Sequence, residues 1–119
     1  MTPELRRGDV VLVRFDPAEG REIRKTRPAV VLSIDVACRL DAVVQIVPVT
    51  SLPERPLRPY ESRIDTTASG LGRPSRAVAN QLRTVARHRI SKRLGRLEPD
   101  ELDSLDRAVM IQLGLRREP

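Results

Sequence analysis

Tryptophan is absent from the chain, and phenylalanine and tyrosine occur once each, as Phe15 and Tyr60. Rows of stacking aromatics, on which single-strand binding sheets lay successive bases, are thereby excluded. Contact with nucleic acid must rest on arginine, lysine and backbone groups. Cysteine is as scarce: Cys38 stands alone, so no intrachain disulfide can form and nothing points to an oxidising compartment. A single histidine, His88, and no carboxylate pair at ligand spacing leave the usual nuclease metal patterns unfilled. No stretch approaches the roughly 18 apolar residues that span a bilayer, and the amino terminus lacks the apolar run of a signal peptide. The expectation is a soluble, cytoplasmic protein that uses no membrane, no metal and no other cofactor.

What is present is positive charge. In 119 residues, 22 Lys and Arg outnumber 16 Asp and Glu, for a formal charge of +6. Such an excess favours a polyanionic partner, with nucleic acid the first suspect. The length suits one compact domain, 1–119.

Short runs rich in Val, Ile and Leu predict strands over residues 9–15, 28–33 and 42–49. The unbroken apolar run Ala29-Val30-Val31-Leu32 implies burial on both faces, as in a small, strongly curved sheet or barrel. Residues 16–27 form a long polar connection, and residues 52–60, with Pro53, Pro56 and Pro59, predict an irregular, mobile surface loop. Further strands are expected over 61–65 and 75–84, joined through a turn in which Gly70 and Gly72 allow positive φ. Residues 87–94 read as a short basic helix. Leu97-Glu98-Pro99-Asp100-Glu101 opens a final helix with proline in its first turn and acidic residues suited to its dipole. Its stripe of Leu102, Leu105, Val109 and Leu113 should pack on the sheet, with Gly114 as its stop.

Three segments carry chemistry. They are Gly8-Asp9-Val10-Val11 with Gly20-Arg21-Glu22-Ile23-Arg24-Lys25-Thr26-Arg27-Pro28-Ala29-Val30-Val31-Leu32; Pro48-Val49-Thr50-Ser51; and Asn80-Gln81-Leu82-Arg83-Thr84-Val85. In order and spacing they resemble the MazF/PemK family of toxin endoribonucleases, over nearly the whole chain from Arg7 through Leu115. The resemblance implies a mainly β, α+β fold: a curved antiparallel sheet or SH3-like barrel of the MazF/PemK/CcdB toxin type with a carboxy-terminal helix, assembled as a homodimer. It also implies cleavage of single-stranded RNA at short sequences and a cognate antitoxin whose acidic, disordered tail occupies the RNA groove.

Metal-free cleavage of RNA uses the neighbouring 2′-hydroxyl as nucleophile, so an enzyme must move protons and stabilise charge on phosphorus. The resemblance places the catalytic arginine at Arg27, whose planar guanidinium can hold two phosphoryl oxygens. A guanidinium keeps its proton at neutral pH, so it acts as a stabiliser rather than a base. Thr50 matches the family's catalytic threonine and can donate to a phosphate oxygen; Ser51, which a strand would turn to the other face, is a helper. Glu22, at the family's acidic position, can accept the 2′-hydroxyl proton or orient Arg27, or simply pair with Arg21 or Lys25. Arg24 and Lys25 supply counter-charge to the backbone. Gln81 and Arg83, on a late strand, can hold a base edge or a phosphate, while Gln81 can equally satisfy backbone groups. His88 reads as a solvated helix residue and Cys38 as a small residue at a turn or core edge.

Two other readings share this fold: a non-catalytic, CcdB-like toxin that poisons gyrase by binding, and a basic RNA-binding protein. The Arg27 and Thr50 pair speaks against the first. Intact RNA after incubation would mark the second.

Overall fold

In the computed structural model, residues 4–17, 19–22 and 24–116 are described. Among them seven strands form one sheet in the order β4-β5-β3-β2-β1-β7, with β6 also on β3. The strands are β1 (Asp9–Arg14), β2 (Thr26–Val31), β3 (Val43–Ser51), β4 (Glu61–Ile64), β5 (Ser75–Val78), β6 (Arg83–Ala86) and β7 (Ile90–Arg96). Helix α1 (Asp35–Leu40) links β2 to β3, and α2 (Pro99–Gln112) closes the described chain. Every pairing is antiparallel. The curved sheet is therefore as expected, but it is open: its end strands β4 and β7 do not pair, so it is not a closed barrel.

The apolar run in β2 is buried on both sides, as its composition required. Ala29 and Val31 enter one core cluster with Val11, Val13, Phe15 and Ile46. Val30 enters the other, with Val10, Val47, Ile64 and Leu105. Alternate side chains of one strand thus feed two cores, one per face. Helix α2 covers the second of these. Glu98 and Glu101 form a reciprocal capping box, with Pro99 in the first turn. Leu105 is buried, and Leu102 and Val109 are partly buried against the same cluster. Leu113 departs from the expected stripe: it follows the last helical residue and is 54% exposed, because the helix has run past the sheet by then. Gly114, at φ 73°, takes the left-handed turn that ends the helix.

Three further expectations are corrected. Residues 87–94 are not a helix. A 3-10 turn, Arg87–Arg89, leads into β7, which pairs with β1 from Val13↔Ile90 to Asp9↔Arg96. Ile90 and Leu94 are four residues apart, a spacing that fits a helical face and a strand face equally; the unpaired edge of β1 decides between them. Nor is 75–84 one strand. β5 and β6 lie along the same edge of β3, interrupted by a 3-10 turn, Ala79–Gln81. Pairings of Ser51 with Ser75 and of Ile46 with Arg83 show the pairing shifting by three residues across that turn. Finally, α1 was not anticipated; at six residues it is too short for an apolar period to register. Cys38 lies in it, buried, with its Sγ donating to the Ser33 carbonyl.

The turn after β4 illustrates why glycine is needed. Gly70 has φ 74°. On β7, a Cβ at Gly95 would run into the carbonyl oxygen of Ala68, so the 3-10 turn Thr67–Ser69 lies directly against the strand. Among the described residues no helix is long and apolar enough to cross a membrane.

Candidate active site

The site arises where two strands part. β2 and β3 pair from Val31↔Ile46 to Ala29↔Pro48, and the ladder goes no further. Beyond Pro48 the other edge of β3 continues to pair with β5, placing Thr50 opposite Arg76. Beyond Ala29, β2 stays with β1, placing Arg27 opposite Val13. Continuing the lost register puts Arg27 and Thr50 level with each other on the two banks of the split.

A concavity of about 120 Å³ occupies that split, lined by Arg27, Pro28, Thr50, Ser51, Arg73 and Ser75 among others. Among the described residues no carboxylate, imidazole or thiol lines it. The Arg27 side chain is exposed, and its Nε donates to the Arg24 carbonyl at 3.3 Å, while its two terminal nitrogens bond none of the described residues. The ion pairs among the described residues engage Arg7, Arg55, Arg63, Arg76, Arg83, Arg93 and Arg96; Arg27 takes part in none. Among the described residues no carboxylate neutralises its charge. Ser51 borders the same concavity as Thr50, because it ends β3 where no β2 residue covers either face.

Glu22, Gln81 and Arg83 gather elsewhere. Glu22 is exposed, its Oε2 3.7 Å from Nη1 of Arg83 and its Oε1 accepting from the Glu19 amide at 2.9 Å. It neither reaches Arg27 nor lines the concavity, and its cationic neighbour is Arg83, not Arg21 or Lys25. Gln81 lies on the 3-10 turn, not on a strand, and its Nε2 donates to the Arg21 carbonyl at 3.3 Å. Arg83, on β6, stacks its guanidinium 5.5 Å above the Phe15 ring. The three together fasten the β1–β2 connection to β6. That connection is shaped from within: Lys25 has φ 65°, a left-handed conformation uncommon outside glycine, and its carbonyl accepts from the Phe15 amide at 2.8 Å. Arg24 and Lys25 are exposed, next to the concavity in the chain but not on its lining.

Two features escaped the sequence reading. Arg73 lines the concavity, delivered by the turn through Gly70 and Gly72; the signal was a basic residue placed between a glycine turn and a strand. Glu61 is the other. Its side chain is 2% exposed and holds Arg55 through two bonds, at 2.8 and 3.1 Å, the Arg58 amide at 2.8 Å, and Arg76. Hydrogen bonding from Arg55 is the main reason its carboxyl is held down to about 2, against the opposing effect of burial. The 52–60 segment is irregular as expected, and this carboxylate ties it down. His88 is exposed, on the 3-10 turn that replaces the expected helix.

An open, twisted antiparallel sheet with a cationic notch at a strand split and a covering carboxy-terminal helix defines a toxin-type fold, and comparison with known proteins agrees. Residues 6–113 match the PemK-like, MazF-like toxins of type II toxin-antitoxin systems, and the chain belongs to that family. It is 38% identical over 116 residues to Endoribonuclease MazF9 of Mycobacterium tuberculosis, covering 93% of this chain and 98% of that protein. The crystal structure of MazF from Deinococcus radiodurans superposes with a TM-score of 0.80 at 26% identity, over 96% of this chain and 98% of that one. An endoribonuclease in complex with its cognate antitoxin from Mycobacterial species shares the fold, with a TM-score of 0.77 at 19% identity over 96% and 99% of the two chains.

Proposed function

We propose that this toxin is a sequence-specific endoribonuclease that cleaves single-stranded RNA, such as messenger RNA, without a metal. The observation that carries the reading is the facing of Arg27 and Thr50 across the β2–β3 split, in a concavity lined, among the described residues, by cationic and hydroxyl groups and by no carboxylate. Such a site suits a dianionic phosphorane and offers no donor set for a divalent ion.

The 2′-oxygen attacks phosphorus and loses its proton, the P–O5′ bond breaks, and the 5′-oxygen takes up a proton. The products are a 2′,3′-cyclic phosphate and a free 5′-hydroxyl. Arg27 sets its two terminal nitrogens on the non-bridging oxygens as their charge rises, and Thr50 donates a further hydrogen bond. Arg73 steadies a flanking phosphate, and Ser51 assists. Glu22 acts at one remove, through Arg83 and the loop, rather than as the base. Arg24 and Lys25 attract the RNA backbone, while the 21–26 and 52–60 segments shape which bases are read.

The partners of this reading are single-stranded RNA and a cognate antitoxin with an acidic, disordered tail that competes for the same cationic groove. The toxin works as a cytoplasmic homodimer. Incubating the pure protein with single-stranded RNA in EDTA tests the proposal: fragments with 5′-hydroxyl ends support it, whereas RNA that is bound but intact leaves a binding protein.

A further inference from the structure

The Gly8-Asp9 pair belongs to the first of the segments that carry chemistry, yet neither residue lines the Arg27–Thr50 concavity. Asp9 opens β1, whereas the residue opposite Arg27 is Val13, near the other end of the strand. The Asp9 side chain is 2% exposed, and its partners account for the burial. Its Oδ2 accepts from the Arg6 amide at 2.8 Å. Its Oδ1 accepts from Nε of Arg93 at 3.2 Å and from Nη1 of Arg96 at 2.8 Å.

The two arginines reach one carboxylate because β7 is bulged. Three positions apart, they would face opposite sides of a regular strand. β7 instead pairs Gly95 with Val10 and Arg93 with Val11, passing over Leu94, and the extra residue turns Arg93 and Arg96 to the same side. A cleft of about 310 Å³ lies over them, lined by Glu4, Arg6, Asp9, Arg93 and Arg96. Three guanidiniums there meet two carboxylates. Arg93 and Arg96 each commit one nitrogen to Asp9, and their other nitrogens bond none of the described residues. The Arg6 guanidinium and the Glu4 carboxylate join none of the ion pairs among the described residues. Pinning β1 to β7 needs Asp9, Arg93 and Arg96 alone; the Arg6 side chain adds charge to the cleft without a counter-charge.

We infer that this cleft binds a phosphate group, free or as the monoester of a small molecule, on the guanidiniums of Arg6, Arg93 and Arg96. Guanidinium nitrogens take phosphate oxygens in pairs, and Asp9 fixes two of the three forks before the ligand arrives. Ligand clefts run from about 300 to 1,000 Å³, so this one suits a phosphate with little attached. No aromatic ring lines it, and a base therefore has nothing on which to stack. The cleft shares no residue with the concavity, and the inference stands whether or not the chain cleaves RNA.

The test is an NMR titration of the isotope-labelled protein at pH 7, in separate arms, with inorganic phosphate, uridine 5′-monophosphate and uridine, the ionic strength being held constant with chloride. Phosphate should shift the Nε–H signals of Arg93 and Arg96 and the Gly95 amide saturably, with a Kd of about 1 mM or below. Uridine should move none of them. Tighter binding of uridine 5′-monophosphate than of phosphate would assign the cleft to a monoester, and the reverse order to the free ion; either supports the inference. Arg6→Ala should weaken binding about tenfold or more, with the melting midpoint of the free protein unchanged, a result that a purely structural cluster would not give. Should Arg6→Ala fail to fold, Arg93→Gln carries the same expectation for binding. Arg27→Ala should leave the shifts of Arg93 and Arg96 as in the wild type. Absence of a saturable shift at Arg93 and Arg96, or equal binding by wild type and Arg6→Ala, overturns the inference. So does a 2′-O-methyl oligouridylate, which carries phosphodiesters alone, that moves the same signals at lower concentration than phosphate, since the surface would then belong to an RNA strand.

Discussion

Thr50 stands directly opposite Arg76 in the β3–β5 ladder, and the Arg76 guanidinium is held by the buried carboxylate of Glu61. One ion-pair network thereby connects the bank of the split that carries Thr50 to the proline-rich 52–60 segment, whose Arg55 grips the same carboxylate. Stability, loop position and site geometry meet at a residue that takes no part in the chemistry.

Glu61→Gln keeps the side chain's shape and leaves Arg76 and Arg55 without their counter-charge. Breaking a buried pair in this way should cost about 3 kcal/mol at pH 7, read from urea unfolding. The folded carboxyl sits at about 2, below its ordinary 4.5. A lowered folded pKa means that the stabilisation is fully present above the ordinary value and is lost as pH falls through the folded one. The gap between wild type and variant should therefore narrow from pH 4.5 down to 2. A gap that stays constant over that window would show that Glu61 is not the titrating group.

Arg27→Ala should leave the far-UV spectrum and melting midpoint unchanged, since the side chain is exposed and makes no ion pair. It should slow single-turnover cleavage by about 100- to 1,000-fold, the cost of removing a preorganised charge stabiliser. Thr50→Val preserves the β-branched body and removes only the hydroxyl, so a loss of about tenfold or more is expected. Undiminished cleavage by either variant removes that residue from the mechanism.

Arg73 and Glu22 separate lining from support. Arg73→Ala should raise KM more than it lowers kcat, because it loses a phosphate contact outside the reacting group. Glu22→Gln should act mildly, within about tenfold, because its partner is Arg83 at the base of the loop rather than Arg27. A loss with Glu22→Gln as large as that with Arg27→Ala would return Glu22 to the chemistry.

Gly95→Ala tests the fold alone. The added methyl would meet the Ala68 carbonyl and the Ser69 backbone, which cannot withdraw without moving the 3-10 turn off β7. A destabilisation of about 1–3 kcal/mol is expected, while Gly20→Ala, at a site with no neighbour within 4 Å, should be limited to the strain of its positive φ.

Much of this fold was legible because its strands announce themselves. The run Ala29-Val30-Val31 is apolar at consecutive positions, and only burial on both faces accounts for that, as the two cores confirm. The last helix was legible from the proline and acidic residues of its first turn. β7 was not, since Ile90 and Leu94 satisfy both periods and the free edge of a strand 80 residues earlier in the chain is what makes the choice. Within the site, Arg27 and Thr50 came from motif register, and their facing across the split supports that assignment. Glu22 was assigned at the family's acidic position and Gln81 as a member of the third segment. In the structure their side chains contact Arg83 and the 19–22 loop, contacts that a motif does not specify. Arg73 had only the weak signal of a basic residue between a glycine turn and a strand, and Glu61 carried none, because its role comes from Arg55, Arg58 and Arg76, which the fold brings to it.

The central claim is that the substrate's own 2′-hydroxyl, held by Arg27 and Thr50, performs the cleavage. After the cut is mapped on a long RNA, the most direct measurement is single-turnover cleavage, in EDTA, of a short RNA carrying one 2′-deoxynucleotide on the 5′ side of that cut. The account predicts that the all-ribose strand is cut to a 2′,3′-cyclic phosphate and a 5′-hydroxyl and that the substituted strand stays whole. Cleavage of the substituted strand at the same bond would contradict it.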